Sequence, residues 1–443
     1  MDQSVQFPRS RWLVLLACVI GCISTQVTNL CMAPVLPQIA DSLHINVGSA
    51  TNWVMTPYLL SGCVVMLLIA GVVVDRYGVL VSLILGGLFA AGPALLMPWI
   101  GHSLSAIFWA RVAEGASQGF IFAAVTPIVA MWFPNHQKGL ALGMMSGSVG
   151  AGSAIGVEAG PRVFAMVQNA IARHSLGGEL AQAHGVWQTM SAWLSLVAGL
   201  GVVIAVVLAL MPKPQLPAQA EAAPGASQGA LFKQALVSPM TLVGIVLTFA
   251  ACYGMQCLYN LTPTFLAAGK PLGVGYSAMI SAHLMLGVTL LGGVGGPILC
   301  GQLLDKVFKG NAKTVFLIGF ALMCVFVYAL KFPAITGQVA LLEAVLIVSG
   351  LGVQLVLPTI YYFVAKAYPP QLAGKMSGIW VGIGTFGGVL GVYIAGVTVK
   401  SHNSYNITLT LQALTALIGL VLVFALAAAQ KPAPSAKVAG AGR

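Results

Sequence analysis

Long apolar stretches alternate with short polar breaks along this chain, and the stretches recur at about the 20-residue length that carries a helix across a hydrocarbon core. Six fall at roughly 12–36, 50–74, 79–100, 104–132, 139–165 and 186–211. Six more fall at 236–266, 275–303, 314–331, 336–366, 373–398 and 407–429. Between the two sets stands MPKPQLPAQAEAAPGASQG, residues 211–229, rich in Pro, Ala and Gln and without an apolar run to bury. The pattern predicts an N-terminal bundle at 1–211, a linker at 212–233, a second bundle at 234–430 and a tail at 431–443.

The two sets resemble each other in detail. WFPNHQKGLALGMMSGSVGAGSAIG aligns with AYPPQLAGKMSGIWVGIGTFGGVLG so that Pro134 meets Pro369, and Gly139, Gly143, Gly147, Gly152 and Gly156 meet Gly374, Gly378, Gly382, Gly387 and Gly391, all 235 residues apart. Six coincidences in one frame indicate an internal duplication. The predicted fold is therefore an all-α polytopic membrane protein, with twelve transmembrane helices in two pseudo-symmetric six-helix bundles. Two parallel repeats of this kind suit a rocking transporter with its substrate site at their interface near mid-membrane.

Composition narrows the solvent to a lipid bilayer. Of 443 residues only 7% are charged and 52 are glycine, and the mean hydropathy is +0.94. The 20 Lys+Arg against 9 Asp+Glu are scattered singly, so no stretch tracks a phosphate backbone and no nucleic-acid partner is expected. With both termini cytoplasmic, fourteen bases fall in inner loops and tails, and four (Arg173, Lys270, Lys331 and Lys400) in outer loops. That bias predicts this orientation. Arg9 and Arg11 precede an apolar run too long for a cleaved signal, so it reads as a retained first helix. Eight cysteines show no CxxC spacing, and no metal site, disulfide framework or cofactor is implied.

The charges that do occur are placed pointedly. GVVVDRYG at 71–78 puts Asp75 and Arg76 in the inner loop between the second and third helices, and GQLLDKVF at 301–308 puts Asp305 and Lys306 in the equivalent loop 230 residues on. Each aspartate can meet a helix terminus or a base across the seam when the inner mouth is shut. A latch must break, and a partly hydrated ion pair worth about 1 kcal/mol or less suits it. This loop and its weaker copy resemble the signature loop of the major facilitator superfamily, a resemblance that covers nearly the whole chain with the twelve segments and the linker.

Interior polar residues are the candidate site. In FWARVAEGASQGF, Arg111, Glu114 and Gln118 share one helix face. In the superfamily a helix-4 arginine resembles the motif tied to proton coupling or to anionic substrates, which implies an Arg111–Glu114 pair that protonation or substrate rearranges; a static structural pair is the alternative. Gly152, Gly156 and Gly160 predict a close packing face. They resemble the glycine-proline motif of drug and proton antiporters, with Val157 where that motif has proline. Glu158 and Arg162 predict a local pair near the outer surface.

Thr25, Gln26 and Asn29 on helix 1, and Tyr253, Gln256, Tyr259 and Asn260 on helix 7, are polar groups that must line a cavity or bridge helices. Helices 1 and 7 line the cavity in the superfamily, which makes Gln26, Asn29, Gln118, Gln256, Tyr259 and Asn260 candidate substrate contacts. Gln354, Tyr361 and Tyr362 on helix 10 and Trp380 on helix 11 are expected to complete the wall. His283 and Glu343 are the remaining intramembrane groups able to titrate, and with Glu114 they are candidates for proton coupling.

The leading expectation is a secondary transporter of a small organic solute, with a carboxylate received by Arg111 as one class, driven by protons or exchanged for a counter-substrate. WFPNHQKGLALG resembles the loop of organic-anion branches, including oxalate and formate exchangers, although Lys375 falls at the inner end of helix 11 rather than within it. Export of drugs or other amphipaths, and a non-transporting receptor on the same fold, are the alternatives. No nucleophile and base pair appears, so an enzyme is not expected. The expected setting is a monomer in a bacterial inner membrane.

Overall fold

A computed structural model describes residues 10–173, 176–210 and 226–429. Among these residues twelve helices are long and apolar enough to cross a membrane: α1 Arg11–Leu30, α2 Val47–Tyr77, α3 Val79–Ile100, α4 Leu104–Val129, α5 Leu140–Ile171, α6 Val186–Leu210, α7 Pro239–Ala267, α8 Ala278–Val307, α9 Ala312–Ala329, α10 Val339–Ala367, α11 Gly374–His402 and α12 Asn406–Ala429. No strand occurs among the described residues. Helices satisfy every backbone amide within the segment, which hydrocarbon demands. The tail and the linker up to residue 225 lie outside the described residues, and helix Ala226–Val237 occupies the end of the expected linker.

The first helix stops at Leu30, short of the expected 36, and the chain restarts as a short helix at Leu36–Ser42. Pro34 and Pro37 explain the break, since neither offers an N–H to continue the ladder. A second departure is in α2 and α8, which carry π-helical turns at Thr51–Met55 and Met66–Ala70, and at Val288–Gly295 and Leu303–Val307. Each widened turn shifts the register of the faces beyond it. In both helices the last one adjoins or contains the charged signature stretch.

Packing repeats as the sequence does. In the first half α1 lies on α5, α2 on α4, and α3 on α4 and α6; six helices later α7 lies on α11, α8 on α10, and α9 on α10 and α12. The matched glycines make this possible. Gly152 and Gly156 bring α5 against Ile23 and Val27 of α1, and Gly387 and Gly391 bring α11 against Phe249, Tyr253 and Cys257 of α7. A Cβ on Gly156 would stand 2.9 Å from the Val27 Cα, so a side chain there forces the helices apart.

The halves meet along two symmetry-related contacts, α5 with α8 and α2 with α11. Call the end where Arg11 begins α1 and Ala429 ends α12 the tail end. At the opposite, far end, the Thr264 hydroxyl of α7 donates to the Ala33 carbonyl at 2.7 Å. There Gly48 also lies against the backbone of Gly396 and Lys400. Midway, Gly150 of α5 meets Gly293 of α8, where a Cβ on Gly293 would stand 3.0 Å from the Gly150 Cα.

Candidate functional site

The contacts between halves seal the far end and thin out towards the tail end. Gly143, Gly147, Gly374 and Gly378, on the tail-end portions of α5 and α11, face open space. Asp75, Arg76, Asp305 and Lys306 are all exposed. Ion pairs among the described residues are Arg111–Glu114 and Glu158–Arg162, so neither signature aspartate is latched in this conformation. Arg76 instead stacks beside Tyr77, its guanidinium carbon 5.6 Å from the ring centre.

Arg111 and Glu114 are the charged side chains buried among the described residues, both at 0% exposure. Spacing of three on α4 brings them into a salt bridge. Arg111 Nε donates to the Val54 carbonyl of α2 at 2.7 Å, and Nη1 to the Thr28 carbonyl of α1 at 3.1 Å. Its guanidinium carbon lies 4.6 Å from the centre of the Tyr58 ring, a cation–π contact, and the Tyr58 hydroxyl donates to the Thr25 carbonyl at 2.6 Å. One arginine thus ties three helices of the first half. Two atoms of the pair, Arg111 Nη2 and Glu114 Oε1, have no protein partner.

A second polar set lies where the halves cross. Gln354 Nε2 donates to the Tyr259 hydroxyl at 2.9 Å, joining α10 to α7, and both groups come within 3.8 Å of where a Cβ on Gly293 would stand. On the other side of the Gly150–Gly293 contact, the Ser153 hydroxyl reaches Gln26 Oε1 at 3.4 Å and so links α5 to α1. Asn260 donates through Nδ2 to the Gln256 carbonyl at 3.1 Å and to Gln256 Oε1 at 3.3 Å. Those donations fix the amide, and Asn260 Oδ1 is left without a protein partner, as is Asn29 Oδ1. Asn260 lies one helical turn before Thr264 on the same face of α7, beneath the far-end seal, and Asn29 lies in the last turn of α1, just before the turn that carries Ala33.

Gln354 and Tyr259, and Asn260 and Gln256, are linked within the second half, Gln26 meets Ser153 within the first, and other expected residues lie apart. Gln118 is half-buried against Gly62 of α2, within the first half. Trp380 is fully buried rather than part of a cavity wall: its ring lies over Gly244 of α7, with Phe363 and Tyr368 5.8 and 6.3 Å away between centroids. Tyr361 is 50% exposed. His283, expected in the interior, shares the exposed face of α8 with Ile280 and Leu290, because its position in the helical period turns it outwards. Glu343 is half-buried near the far end of α10, its Oε1 3.7 Å from a Cβ built on Gly287 of α8.

Several partners were invisible in the sequence. Val54 and Thr28 act through backbone carbonyls, which no side-chain pattern announces. Ser153 sits on the face already marked by Gly152 and Gly156, and that adjacency is a signal for it. Glu158 and Arg162 pair as the spacing predicts, Nε to Oε1 at 2.9 Å, with Arg162 largely exposed.

Comparison with known proteins gives the same architecture. A family model described as Major Facilitator Superfamily matches residues 15–342 and 310–442. Multidrug resistance protein 1 of Bacillus subtilis (strain 168) is 24% identical over 397 residues, 88% of this chain and 90% of that protein. The tetracenomycin C resistance and export protein of Streptomyces glaucescens is 30% identical over 147 residues, 33% of this chain and 26% of that protein. In fold, the crystal structure of a D-xylose-proton symporter superposes with a TM-score of 0.70 at 14% identity, covering 94% of this chain and 97% of the other.

Proposed function

Because this chain belongs to the Major Facilitator Superfamily and is an integral membrane transporter, we propose that it exports amphipathic organic compounds carrying hydrogen-bond donors, neutral or cationic, in exchange for protons. One observation carries this reading: the buried arginine's charge is matched by Glu114 and all but its Nη2 is bonded, while the unpartnered side-chain amide atoms Asn29 Oδ1 and Asn260 Oδ1 are acceptors. Unpaired buried acceptors cost free energy until a donor fills them. Arg111 keeps one unpartnered donor, Nη2, but Glu114 neutralises its charge, so a carboxylate meets no net positive charge in the interior, which weighs against the organic-anion branch. The Streptomyces relative is named as a resistance and export protein and the Bacillus relative as a multidrug resistance protein, which supports this reading.

Glu114 is the coupling group in this proposal, since Oε1 is open to a proton while Oε2 holds Arg111. Protonation releases the arginine from its charge partner and loosens the tie between α1, α2 and α4. The excess of basic residues supports an orientation with the tail end in the cytoplasm, the bacterial relatives support a bacterial inner membrane, and in that orientation the conformation described is open inwards. The protein acts as a monomer, with the two bundles, 1–211 and 234–430, as its moving bodies.

Purified protein in liposomes with an imposed pH gradient tests this with three labelled probes: an amphipathic amine, a neutral amphipath and oxalate. The amine is expected to accumulate against its gradient and to stop when the gradient is collapsed. Glu114→Gln should abolish that accumulation by at least tenfold while amine counterflow continues. Oxalate exchange that Arg111→Ala eliminates, with no amine flux, would overturn the proposal.

A further inference from the structure

A cavity separate from the seam opens at the tail end of the second half, between the start of α9 and the ends of α10 and α12, with a volume of about 140 Å³. That is roughly ten times the ~10–15 Å³ one water needs. Its floor is apolar and buried: Phe316, Phe363, Val423 and Leu426 are at most 6% exposed. Its rim is cationic. Lys313 and Lys366 both line it, no acidic residue does, and the nearest acid along the chain, Asp305, is exposed at the end of α8.

The rim is organised. Lys366 Nζ donates to the Tyr362 hydroxyl one turn earlier on α10, and both groups press on Gly310, where a Cβ would stand 2.9 Å from each. Gly310 has φ +86°, a conformation that also favours glycine. Only glycine there lets the loop close over the lysine and tyrosine. Asn311 then caps α9, its side chain accepting from the Thr314 N–H at 3.4 Å, so the first turn of an 18-residue helix forms one wall and adds its positive end. Lys313 leans over the ring of Phe424, 4.7 Å from its centre, and that ring is 52% exposed on the outer face of α12.

We propose that this cavity binds a phosphate-bearing anion, the head group of an anionic phospholipid in the leaflet at the tail end. Basic pockets between membrane helices take such head groups as a general matter of electrostatics. Here the two ammonium groups, the Tyr362 hydroxyl and the helix start are placed for phosphate oxygens, and the apolar floor and Phe424 are placed for the glycerol and first methylenes. The site joins α9, α10 and α12, and its occupancy holds the end of α10 against the other two.

The test is lipid binding to the purified full chain in neutral detergent, followed by native mass spectrometry and by thermal melting. Phosphatidylglycerol, phosphatidylcholine and inorganic phosphate are the probes. Phosphatidylglycerol should bind and raise the melting temperature, and phosphatidylcholine should do neither. With about fivefold per lysine near a charged surface, K313Q/K366Q should weaken phosphatidylglycerol binding by about 30-fold. K313R/K366R should retain binding, and Lys400→Gln at the far end should leave it unchanged. Inorganic phosphate that binds equally tightly and is lost in the same double variant supports the phosphate chemistry and assigns it to a soluble anion. Equal binding of both lipids, or phosphatidylglycerol binding unchanged in a K313Q/K366Q protein that melts normally without lipid, would overturn the site.

Discussion

Arg111 illustrates how far a single residue can be read. Its depth in α4 and its spacing from Glu114 were legible, because a charge in an apolar run must find a partner within helical reach. Its other anchors were not, since they are carbonyls of Val54 and Thr28 brought near by folding. Those anchors set an expectation for stability. Arg111→Ala leaves Glu114 and two carbonyls unpaired in the interior and should cost about 3–5 kcal/mol, measured as a lower melting temperature in detergent. Arg111→Lys should recover only part of this, since one ammonium cannot span donors held in a fixed fork. Glu114→Gln keeps an acceptor for Nη1 but leaves the arginine's charge uncompensated, so it should also lower the melting temperature, and retained amine counterflow separates its effect on coupling from an effect on folding. Trp380 and His283 mark where residue reading fails, because their types suit a cavity wall or a proton relay while the helical phase that decides their facing was left loose.

At the scale of elements, the glycine frame was the most informative signal. Gly156 and Gly391 do the same job in the two halves, one against α1 and one against α7, as a duplicated frame requires. Gly143 and Gly378 belong to the same frame and yet face open space. The pattern gave their spacing and not their surroundings. A contrast follows. Gly156→Leu should destabilise the first half by about 1–3 kcal/mol or more through overpacking, whereas Gly143→Leu should leave melting unchanged. Comparing the two melting curves checks it. The π-helical turns of α2 and α8 were not legible either, since one extra residue per turn leaves apolar content unaltered. Proline and glycine near them, as in GGVGGP, are a trace visible only afterwards.

For the whole molecule, twelve spans and their halving were legible from hydropathy and the repeat, because bilayer thickness sets helix length. Which end of the seam is closed was not legible, as both conformations share one sequence. Far-end contacts at Thr264–Ala33 and Gly48–Gly396, with exposed Asp75 and Asp305 at the other end, describe one position of a two-position machine. In the other position the aspartates are expected to engage across the tail-end seam, so Asp75→Asn should favour the conformation described here and slow transport while leaving substrate binding intact. Measured flux and affinity together distinguish this from a damaged site.

Rocking of the two bundles about the mid-membrane crossing is the central claim, and paired spin labels measure it most directly. Labels at the exposed positions Tyr77 and Val307 report the tail-end mouth, and labels at Asp41 and Lys400 report the far end. On adding a transported amphipathic amine at low pH, the account predicts that the first distance shortens while the second lengthens, with Gly150→Leu suppressing both changes. Distances that stay fixed during measured transport, or that lengthen together at both ends, would contradict it.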